Sequence, residues 1–449
     1  MNEITTIVLA AGEGTRMKSE LPKLLHPVAG LPILGHVLSA AIGAGTTHLG
    51  VITAPNATQL SATVKSIAPN AQIFEQVERK GTAHAAQMAK ALWSKAKDYV
   101  IVVYGDHPLL RSQNFEIIIK QLNAGKDVCI LGFEPDDPTG YGRFITNGDK
   151  LLNIVEHKDA SDEEREITLC NACILGFKAN VFKETIEKVG NENAQGEYYL
   201  GDLIPLANQL GYDVGYAIAP ADDVHGVNDR SQLAIAENLF QNRLRQDFMK
   251  SGVTLKDPST TYFSYDTKIG RDVSIEPNNI FGLGVKIEQG ANILGFCHIV
   301  GANIGKCANI GPFARLRPDA NLEEGVKVGN FVEVKKANVG AGAKLNHLSY
   351  IGDADVGKNA NIGAGTITCN YDGVNKHRTN IGQDVFVGSN SSLVAPLKIG
   401  KGAYIASGSV ITSDIEADAL AIARTKQVNK QGLASKLRAK AMALKNKNK

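Results

Sequence analysis

The loop after the first apolar segment carries residues suited to binding phosphate. Ile4–Ala11 has the composition of a buried strand, and Gly12–Met17 (GEGTRM) follows it directly. Glycines let the backbone approach an anion closely, so that its amide groups can point at the anion. Met17 stands where a dinucleotide fingerprint has its third glycine, and where a Walker loop has the glycine before Lys-Ser. The loop therefore predicts a phosphate site of another kind, with a plain tight turn as the alternative.

Two cations and one carboxylate favour the phosphate site over the plain turn. Arg16 lies in the loop, and Lys23 follows a short way on. A later apolar segment, Tyr99–Tyr104, continues directly into Gly105-Asp106. Open α/β sheets bind ligands beyond the carboxyl ends of their strands, and an aspartate beside phosphates there commonly holds a divalent ion.

A second group of polar residues lies in the other half of the chain, where few large polar groups are expected. The side chains that we expect to gather there are Arg317, Lys335, His347, Tyr350, Asn361, Asn370 and Tyr371. An imidazole titrates in the range needed to take a proton from an amine that attacks a thioester. The pattern favours acyl transfer, although a single histidine is more often structural than catalytic.

The elements that must position the first group alternate between strands and helices. Residues 1–228 hold clear strand candidates at Ile4–Ala11, Leu49–Ala54, Tyr99–Tyr104 and Val128–Phe133, and an amphipathic stretch at Ala83–Ala96. This alternation predicts an open α/β sheet wound through parallel crossovers.

One helix over residues 229–250 is predicted to connect two domains. Asp229 can cap it and Gly252 can end it. Its predicted apolar stripe is Leu233, Ala236, Phe240, Leu244 and Phe248.

From about residue 269 the apolar residues recur every six positions, a period that fits neither a flat strand nor a helix. The most regular run is Ile381, Val387, Leu393, Ile399, Ile405 and Ile411. This is the hexapeptide repeat of a parallel β-helix, and residues 269–411 correspond to about eight turns. A coil of this kind exposes flat faces, which a side-by-side oligomer would cover.

Composition narrows the remaining classes. The formal net charge of +2 gives no general attraction to nucleic acid. The six cysteines include one close pair, Cys170 and Cys173, without the partners of a zinc site, so we expect reduced thiols in a cytoplasmic protein. No apolar run predicts a membrane span. Residues 425–449 hold eight Lys or Arg and no Asp or Glu, which predicts either a solvated tail or a contact with a polyanionic ligand.

These residues resemble a known family. Leu9–Met17 (LAAGEGTRM) with Pro22-Lys23 is similar to the signature of sugar-phosphate nucleotidylyltransferases. Further segments, among them Asp137–Arg143 (DPTGYGR), Ile154–Asp159 (IVEHKD) and Gln195–Tyr199 (QGEYY), resemble the bacterial bifunctional N-acetylglucosamine-1-phosphate uridylyltransferases / glucosamine-1-phosphate N-acetyltransferases. The resemblance extends from residue 1 to about residue 425.

The resemblance implies a fold and a division of the chain. It implies a Rossmann-like uridylyltransferase domain over residues 1–228, the linker helix over 229–250, a left-handed β-helix acetyltransferase domain over 251–425, and a basic tail over 426–449. It also implies a homotrimer with the acetyl site between subunits, and a role in cell-wall precursor synthesis.

For the first domain, the resemblance implies a site for UTP, N-acetylglucosamine 1-phosphate and Mg²⁺. The implied binding residues are Leu9, Ala10, Ala11, Gly12, Arg16, Lys23, Gln76, Gly81, Thr82, Tyr104, Gly105, Asp106, Gly142, Glu156, Asn171 and Asn228. Asp106 and Asn228 would hold the metal, and Gly142, Glu156 and Asn171 would contact the sugar. Ala172-Cys173, His107 and His225 depart from the family pattern and leave the fine sugar contacts open.

For the coil, the resemblance implies acetyl transfer from acetyl-CoA to glucosamine 1-phosphate. His347 would be the general base, and Arg317 and Lys335 would hold the sugar phosphate. Tyr350, Asn361, Asn370 and Tyr371 would place the amine and its ring. The acetyl-CoA groove would be lined by Ala364, Ser389, Ser407 and Arg424.

Two other functions stay open at this stage. The coil could be a structural scaffold attached to a nucleotidylyltransferase, although His347, Arg317 and Asn370-Tyr371 argue against that. A binding module without catalysis is the other alternative, and Lys23, Asp106 and Asn228 argue against it.

Overall fold

The structure, a computed structural model, describes residues 2–193 and 195–447. Its contacts divide the chain into two units. The first unit ends at Asp247 and also takes in Tyr262–Tyr265, whereas the second comprises Phe248–Thr261 and continues from Asp266. The boundary therefore falls near the end of the helix predicted as a linker.

The first unit is built on a mixed nine-stranded sheet, with a separate pair of strands beside it in the sequence. Its strands are β1 (Ile4–Ala10), β2 (Pro27–Val28), β3 (Leu31–Pro32), β4 (His48–Thr53), β5 (Gln72–Glu75), β6 (Tyr99–Tyr104), β7 (Val128–Phe133), β8 (Arg143–Asn147), β9 (Lys150–Val155), β10 (Cys170–Lys178) and β11 (Val214–Ile218). The strand order in the large sheet is β5-β4-β1-β6-β10-β7-β11-β9-β8, while β2 and β3 form a separate pair. The four predicted strands are confirmed to within one residue.

The prediction of parallel crossovers throughout is wrong at β10. This strand runs antiparallel to both neighbours, β6 and β7, whereas β1 runs parallel to β4 and β6. The chain reaches β10 after the β8–β9 hairpin and so enters the sheet from its opposite end. Strand direction depends on this tertiary connection, which the residue pattern of β10 does not encode.

Within residues 2–193 and 195–447, eight helices surround this sheet and one more leads out of it. They are α1 (Ile33–Gly43), α2 (Thr58–Ile67), α3 (Thr82–Gln87), α4 (Lys90–Trp93), α5 (Ser112–Asn123), α6 (Asp162–Arg165), α7 (Ala179–Lys188), α8 (Leu203–Gln209) and α9 (Arg230–Lys250). The predicted amphipathic stretch at Ala83–Ala96 holds two helices, α3 and α4, because the backbone tightens to i→i−3 hydrogen bonds at Met88 and Ala89.

The core of the first unit lies on both faces of the sheet, as the alternation along its strands requires. Val8 and Val103 face one buried cluster, while Ile7 and Val102 face the other. Both faces are covered, so these strands are apolar on both sides and read as continuous hydrophobic runs.

The linker helix α9 has the predicted cap, and its buried face extends beyond the predicted stripe. Asp229 Oδ1 accepts a hydrogen bond from the backbone N–H of Gln232 at 2.8 Å. Of the predicted stripe, Ala236 is buried and the other four residues are half-buried, while the polar Gln241 and Arg245 are buried without having been predicted. Leu233 and Phe240 pack only partly against the core.

A strand from beyond the helix explains why Gln241 is buried on α9. The Gln241 side chain donates to the carbonyl of Phe263 at 2.6 Å and accepts from its N–H at 2.9 Å. The strand Tyr262–Phe263 thus satisfies a buried amide on α9. An apolar pattern cannot reveal a buried polar residue whose partner is a distant backbone.

The second unit is a parallel coil with three strands in each turn. The first face consists of Thr254–Leu255, Ser274–Ile275, Asn292–Ile293, Asn309–Ile310, Lys327–Asn330, Lys344–His347, Asn361–Ile362, Phe386–Val387, Tyr404–Ile405 and Leu420–Ala421. The other faces comprise Lys268–Ile269, Ile280–Phe281, Lys286–Ile287, His298–Ile299, Ala302–Ile304, Arg315–Leu316, Ala320–Leu322, Glu333–Val339, Tyr350–Val356, Ile367–Cys369, Thr379–Ile381, Ser392–Val394, Leu397–Ile399 and Val410–Ile411.

The six-residue period is confirmed as the geometry of this coil. Ile293, Ile310, Val328 and Leu345 pair in succession on one face, and each is at most 1% exposed. The coil extends beyond the predicted residues 269–411, from Thr254 to Ala421. The end turns lie outside the regular six-residue period but within residues 251–425, which the resemblance implied for this domain.

A ladder of amides runs along the outside of one coil face. Asn303 donates to Asn321 at 2.7 Å, Asn321 to Asn338 at 3.0 Å, and Asn338 to Asp355 at 2.7 Å. Arg378, in the following turn, bonds to the same Asp355 carboxylate. Each turn is thereby held in register with the next.

The tail forms one exposed helix, α10 (Leu433–Lys447), with no acidic residue in its first turn and Lys445 and Lys447 in its last. In the described part of the chain, no helix is both long enough and apolar enough to cross a bilayer.

Candidate functional sites

The two loops predicted to bind phosphate and metal are neighbours in the structure. Leu9 on β1 pairs with Tyr104 on β6, and the N–H of Gly105 donates to the carbonyl of Leu9 at 2.9 Å. A Cβ at Gly105 would lie 2.9 Å from that carbonyl oxygen, so only glycine allows this approach. The carboxyl ends of both strands therefore open into one place.

Four charged or polar side chains converge there. Lys23 Nζ lies 2.7 Å from Asp106 Oδ2 and 3.3 Å from Asn228 Oδ1. Arg16 donates to the same Asn228 oxygen at 2.9 Å. These residues are far apart in the sequence, so their convergence supports a shared site rather than a plain turn.

Asp106 is held in its charged form. Burial alone would raise its pKa, but the nearby charge of His107, together with the charge and hydrogen bond of Lys23, outweighs burial and holds the pKa well below its usual range. His107 Nδ1 lies 2.8 Å from Asp106 Oδ1. The contact lacks hydrogen-bond geometry, and both atoms are buried without a hydrogen-bond partner among the described residues.

This arrangement fits a divalent cation. Within the described chain Asp106 Oδ1 is an unpartnered carboxylate oxygen, and Asn228 Oδ1 is an amide oxygen bound by the same lysine as Asp106. Hard oxygen donors of this kind suit Mg²⁺, which usually takes one or two protein ligands and keeps several waters. Over residues 2–193 and 195–447, no group of three or more His, Cys, Asp and Glu converges as a metal site.

A pocket of about 240 Å³ opens above this cluster. Ten of the predicted residues line it: Leu9, Ala10, Ala11, Gly12, Lys23, Gln76, Gly81, Thr82, Tyr104 and Asp106. Arg16 and Asn228 line an adjoining pocket together with Gly12 and Lys23. Four further lining residues were missed by sequence reasoning, namely Leu24, Arg79, Ala85 and Glu197. Only Glu197 had a signal, since it lies in the QGEYY segment.

One wall of the pocket is built by Gln76, Gly81 and Thr82. Gln76 is 4% exposed and donates to the carbonyl of Gly81 at 3.1 Å. Gly81 has φ of 107°, and a Cβ there would lie 2.5 Å from the carbonyl oxygen of Tyr198. Thr82 Oγ1 accepts from the N–H of Leu200 at 2.9 Å. The wall therefore presents a fixed amide and backbone groups to a ligand.

The three residues expected at the sugar also meet. A Cβ on Gly142 would lie 3.5 Å from Glu156 Oε1 and 3.7 Å from Asn171 Cβ. Burial, followed by the charges of Asp159 and Asp202, raises the pKa of Glu156. Glu156 also lines a separate pocket of about 490 Å³ with Asp159 and Asp202.

The departures from the family pattern lie beside these residues. Cys173 has φ of 58°, in the left-handed region, at the position where the family pattern has glycine, and its N–H donates to Asn171 Oδ1 at 2.9 Å. His225 Nε2 is buried and has no hydrogen-bond partner in the described part of the chain. Burial, followed by the charge of His107, lowers the pKa of His225.

On the coil, His347 is oriented by a residue in the preceding turn. His347 Nδ1 lies 2.9 Å from Asn330 Oδ1, and the two residues pair across the first face. An amide oxygen accepts, so Nδ1 carries the proton and Nε2 is left as the acceptor. Sequence reasoning missed Asn330, although it lies close in sequence to the predicted Lys335.

The two cations expected at the sugar phosphate, Arg317 and Lys335, each lie beside other charged side chains. Arg317 donates to Glu333 Oε1 at 2.7 Å. Contact with the adjacent Lys376, followed by burial, lowers the pKa of Lys335, and the charge of Arg317 adds to the effect. Sequence reasoning also missed Lys376 and Glu333.

The remaining predicted residues of this group are only partly brought together. Asn370 Nδ2 lies 3.5 Å from the Tyr350 hydroxyl and donates to Asp353. Tyr371 is 59% exposed and bonds to the carbonyl of Gly373 in its own loop. Asn361 pairs with Lys344 on the first face, so it lies one turn beyond the strand Lys344–His347.

The four residues expected at acetyl-CoA follow one corner of the coil through successive turns. The carbonyl of Ala364 accepts from the N–H of Asn390, which directly follows Ser389. The carbonyl of Ser389 accepts from Gly408, which follows Ser407, and Arg424 donates to the carbonyl of Ser407 at 3.0 Å. This corner column of Ala364, Ser389, Ser407 and Arg424 offers a linear track for an extended ligand.

Two family models match the two units. The MobA-like NTP transferase domain matches residues 6–161, and the Bacterial transferase hexapeptide (six repeats) matches residues 378–413. The chain thus combines a Rossmann-like nucleotidyltransferase domain with a transferase domain built as a left-handed parallel β-helix.

Full-length relatives define the family. The Bifunctional protein GlmU of Bartonella quintana (strain Toulouse) is 49% identical over 438 residues, covering 98% of each chain. The Bifunctional protein GlmU of Azorhizobium caulinodans is 51% identical over 436 residues, covering 97% of each chain. The chain belongs to the family of bifunctional GlmU proteins. It is an enzyme of UDP-N-acetylglucosamine synthesis with acetyltransferase and uridylyltransferase activities.

Proposed function

We propose that the pocket of the first unit transfers uridylyl from UTP to N-acetylglucosamine 1-phosphate, and that the coil first acetylates glucosamine 1-phosphate. The observation that carries the first assignment is the meeting of Lys23, Asp106 and Asn228 beneath the pocket. Positive charge and metal-binding oxygens are what a nucleotidyl transfer between phosphates requires.

In the uridylyl step, an oxygen of the sugar 1-phosphate forms a bond to the α-phosphorus of UTP, and pyrophosphate leaves. Gln76 and the backbone around Gly81 suit the carbonyls and N–H of uracil. Leu9–Gly12 line the nucleotide, while Arg16 and Lys23 neutralise phosphate charge. The protein contributes position and charge rather than covalent chemistry.

Asp106 and Asn228 would hold Mg²⁺, which when bound neutralises phosphate charge and orients the triphosphate. The low pKa of Asp106 keeps this ligand ionised at neutral pH. Glu156, Asn171 and the backbone of Gly142 would bind the sugar, with the Glu156 carboxylate as a hydrogen-bond acceptor for its hydroxyl groups.

In the acetyl step, the amine of glucosamine 1-phosphate attacks the thioester carbonyl of acetyl-CoA. A C–N bond forms, the C–S bond breaks, and the amine proton leaves through His347 Nε2 to the departing thiolate. Asn330 keeps Nδ1 protonated and so keeps Nε2 basic. Arg317 and Lys335 would hold the sugar phosphate, Tyr350, Asn361, Asn370 and Tyr371 the ring and amine, and the corner column acetyl-CoA.

We further propose a homotrimer formed through the coil. The rings of Phe296, Phe313 and Phe331 stack at 4.9 and 5.3 Å on successive turns, yet are 45–57% exposed. Leu348, beside His347, is 61% exposed. Exposed apolar rows of this length favour burial against another copy, which would also close the acetyl site.

The domain bounds given from the sequence, 1–228, 229–250, 251–425 and 426–449, remain proposals for where the activities divide. UTP and acetyl-CoA are cytoplasmic metabolites, which supports a cytoplasmic location.

One assay tests the assignment of both activities. The protein is incubated with glucosamine 1-phosphate, acetyl-CoA, UTP and Mg²⁺, and free thiol and pyrophosphate are followed separately. Release of thiol followed by pyrophosphate is expected. Pyrophosphate release only when N-acetylglucosamine 1-phosphate is supplied, without thiol, would instead indicate a nucleotidylyltransferase with a structural coil.

A further inference from the structure

The first residue of the linker helix touches both cation-bearing turns of the uridylyl site. Arg230 Nε donates to the carbonyl of Met17 at 3.2 Å. Its Nη1 lies 3.3 Å from His26 Nδ1. These contacts serve none of the substrate-binding roles assigned above.

The two residues that Arg230 contacts end short turns that carry phosphate-facing cations. The 3₁₀ turn Thr15–Met17 contains Arg16 and leads into Lys18 at φ of 48°. The 3₁₀ turn Lys23–Leu25 ends at His26, whose N–H donates to the carbonyl of Lys23 at 3.2 Å. Each cation therefore lies within three residues of an atom that Arg230 holds.

The same two cations meet at Asn228, two residues before Arg230. Arg16 and Lys23 both donate to Asn228 Oδ1, at 2.9 and 3.3 Å. The N–H of Asn228 in turn donates to Gln232 Oε1 at 2.7 Å, within the first turn of α9. Arg16 and Lys23 are thus each linked to the start of α9 in two ways, through Asn228 and through the turn that Arg230 contacts.

His26 contributes to this arrangement as a neutral acceptor. It is 4% exposed, and burial, followed by the charge of Arg230, lowers its pKa. Its Nδ1 can therefore accept from the guanidinium, which leaves the proton on Nε2. The planar fork of arginine suits two acceptors in different directions, whereas an ammonium on a flexible stem does not fix them together.

We propose that Arg230 is a positioning residue for uridylyl transfer, which fixes the Met17 and His26 turns so that Arg16 and Lys23 are correctly placed against Asn228 and the triphosphate. The proposal rests on the proposed uridylyl site. It is distinct from that site's own residues, because Arg230 acts through the backbone of one turn and the imidazole of the other.

The test compares Arg230→Ala and Arg230→Lys with Arg243→Ala in the full chain. Arg243 anchors the same helix elsewhere, through Asp223 Oδ1 at 3.0 Å and the carbonyl of Leu109 at 3.0 Å. Arg243→Ala therefore removes one arginine that anchors α9 but leaves the contacts of Arg230 with Met17 and His26 in place.

For Arg230→Ala we expect kcat of uridylyl transfer to fall about 10- to 100-fold, since small misplacements of reacting groups are costly. The Mg²⁺ concentration for half-maximal rate should rise, and the increase in Tm produced by UTP without metal should shrink. Arg230→Lys should recover little, while added ethylguanidinium should restore part of the rate to Arg230→Ala. Thiol release at the coil should stay unchanged and reports folded protein.

Arg243→Ala should lower Tm yet keep the wild-type kcat, Mg²⁺ dependence and response to UTP. If Arg230→Ala behaves in the same way, Arg230 is only an anchor of the helix and the proposal is overturned. Failure of the proposed function itself would look different, because Asp106→Ala would then leave pyrophosphate release intact.

Discussion

The two sites that we propose for this molecule are built on opposite principles. The uridylyl site collects residues from loops more than two hundred positions apart, Arg16 and Asn228 among them, into a pocket whose key carboxylate is half-buried and charged. The acetyl site sets its residues on successive turns of one coil, where His347 and Tyr371 remain exposed. A sheet with loops can enclose a ligand by itself, whereas a convex coil provides only one wall.

This difference predicts that the two activities separate completely by mutation. Asp106→Ala should lower uridylyl transfer by on the order of 10³-fold or more, because the metal ligand is lost, and should leave acetyl transfer near normal. His347→Ala should do the reverse, by about 10²- to 10⁴-fold. Separate measurement of pyrophosphate and thiol decides, and loss of both activities in one folded variant would refute the division.

Removal of metal should distinguish the sites without mutation. EDTA should reduce pyrophosphate release to background, since we propose Asp106 and Asn228 as Mg²⁺ ligands. Thiol release should continue at its full rate, because the acetyl step that we propose uses no metal ion. Excess Mg²⁺ should restore the first activity, and any dependence of the second on EDTA would contradict the assignment.

The orientation of His347 can be tested through its partner. Asn330→Ala should lower kcat of acetyl transfer about tenfold, because the imidazole loses the acceptor that fixes its tautomer. Asn330→Asp keeps an acceptor for Nδ1 and should retain much of the rate that Asn330→Ala loses. Equal losses of kcat in the two variants would reduce Asn330 to a structural role.

The contribution of the tail should be smaller. A chain cut after Ile422 loses Arg424, and its KM for acetyl-CoA should rise roughly 3- to 10-fold, since an exposed cation contributes modestly. A chain cut after Gly432 loses only α10 and serves as the control, with KM expected to be unchanged. Wild-type acetylation at low acetyl-CoA by the shorter protein would make Arg424 part of a solvated end.

The smallest effect concerns the independence of the first unit. Residues 1–250 and 1–265 should both fold and keep wild-type uridylyl kcat, because the residues that we assign to the uridylyl site, and Arg230 that positions two of them, all lie within residues 1–250. The shorter fragment lacks Phe263, the partner of the buried Gln241 amide, so its Tm should be lower by a few degrees. Gln241→Ala should remove most of that difference, and equal Tm values for the two fragments would show that the strand adds nothing.

Much of this fold follows from patterns that are local in the sequence. The six-residue period fixes the coil by itself, as Ile293, Ile310 and Val328 illustrate. The ends of the apolar segments at Ala10 and Tyr104 are equally local, and because neighbouring parallel strands end at one edge, they predict the phosphate loop beside Asp106.

What could not be predicted depends on partners distant in sequence. Asn330 and Lys376 have no signature of their own, and they matter only because coil turns bring them to His347 and Lys335. Gln241 is buried because the Phe263 backbone bonds to it, which defeats an apolar-stripe prediction. The direction of β10 follows from a connection rather than from its residues.

The amide ladder on the coil has a consequence for how such a molecule can change over generations. Between the strands that begin at Asn361 and at Phe386, the chain makes a long excursion that carries Asn370 and Tyr371. These two strands still pair directly with each other. Asp355 bonds to Asn338 in the turn before the excursion and to Arg378 at its end. Residues can therefore be inserted or deleted at this corner, because the pairing of the next strand restores the register of the coil. A segment that carries new reactive side chains can be inserted into such a coil without disturbing the turns on either side.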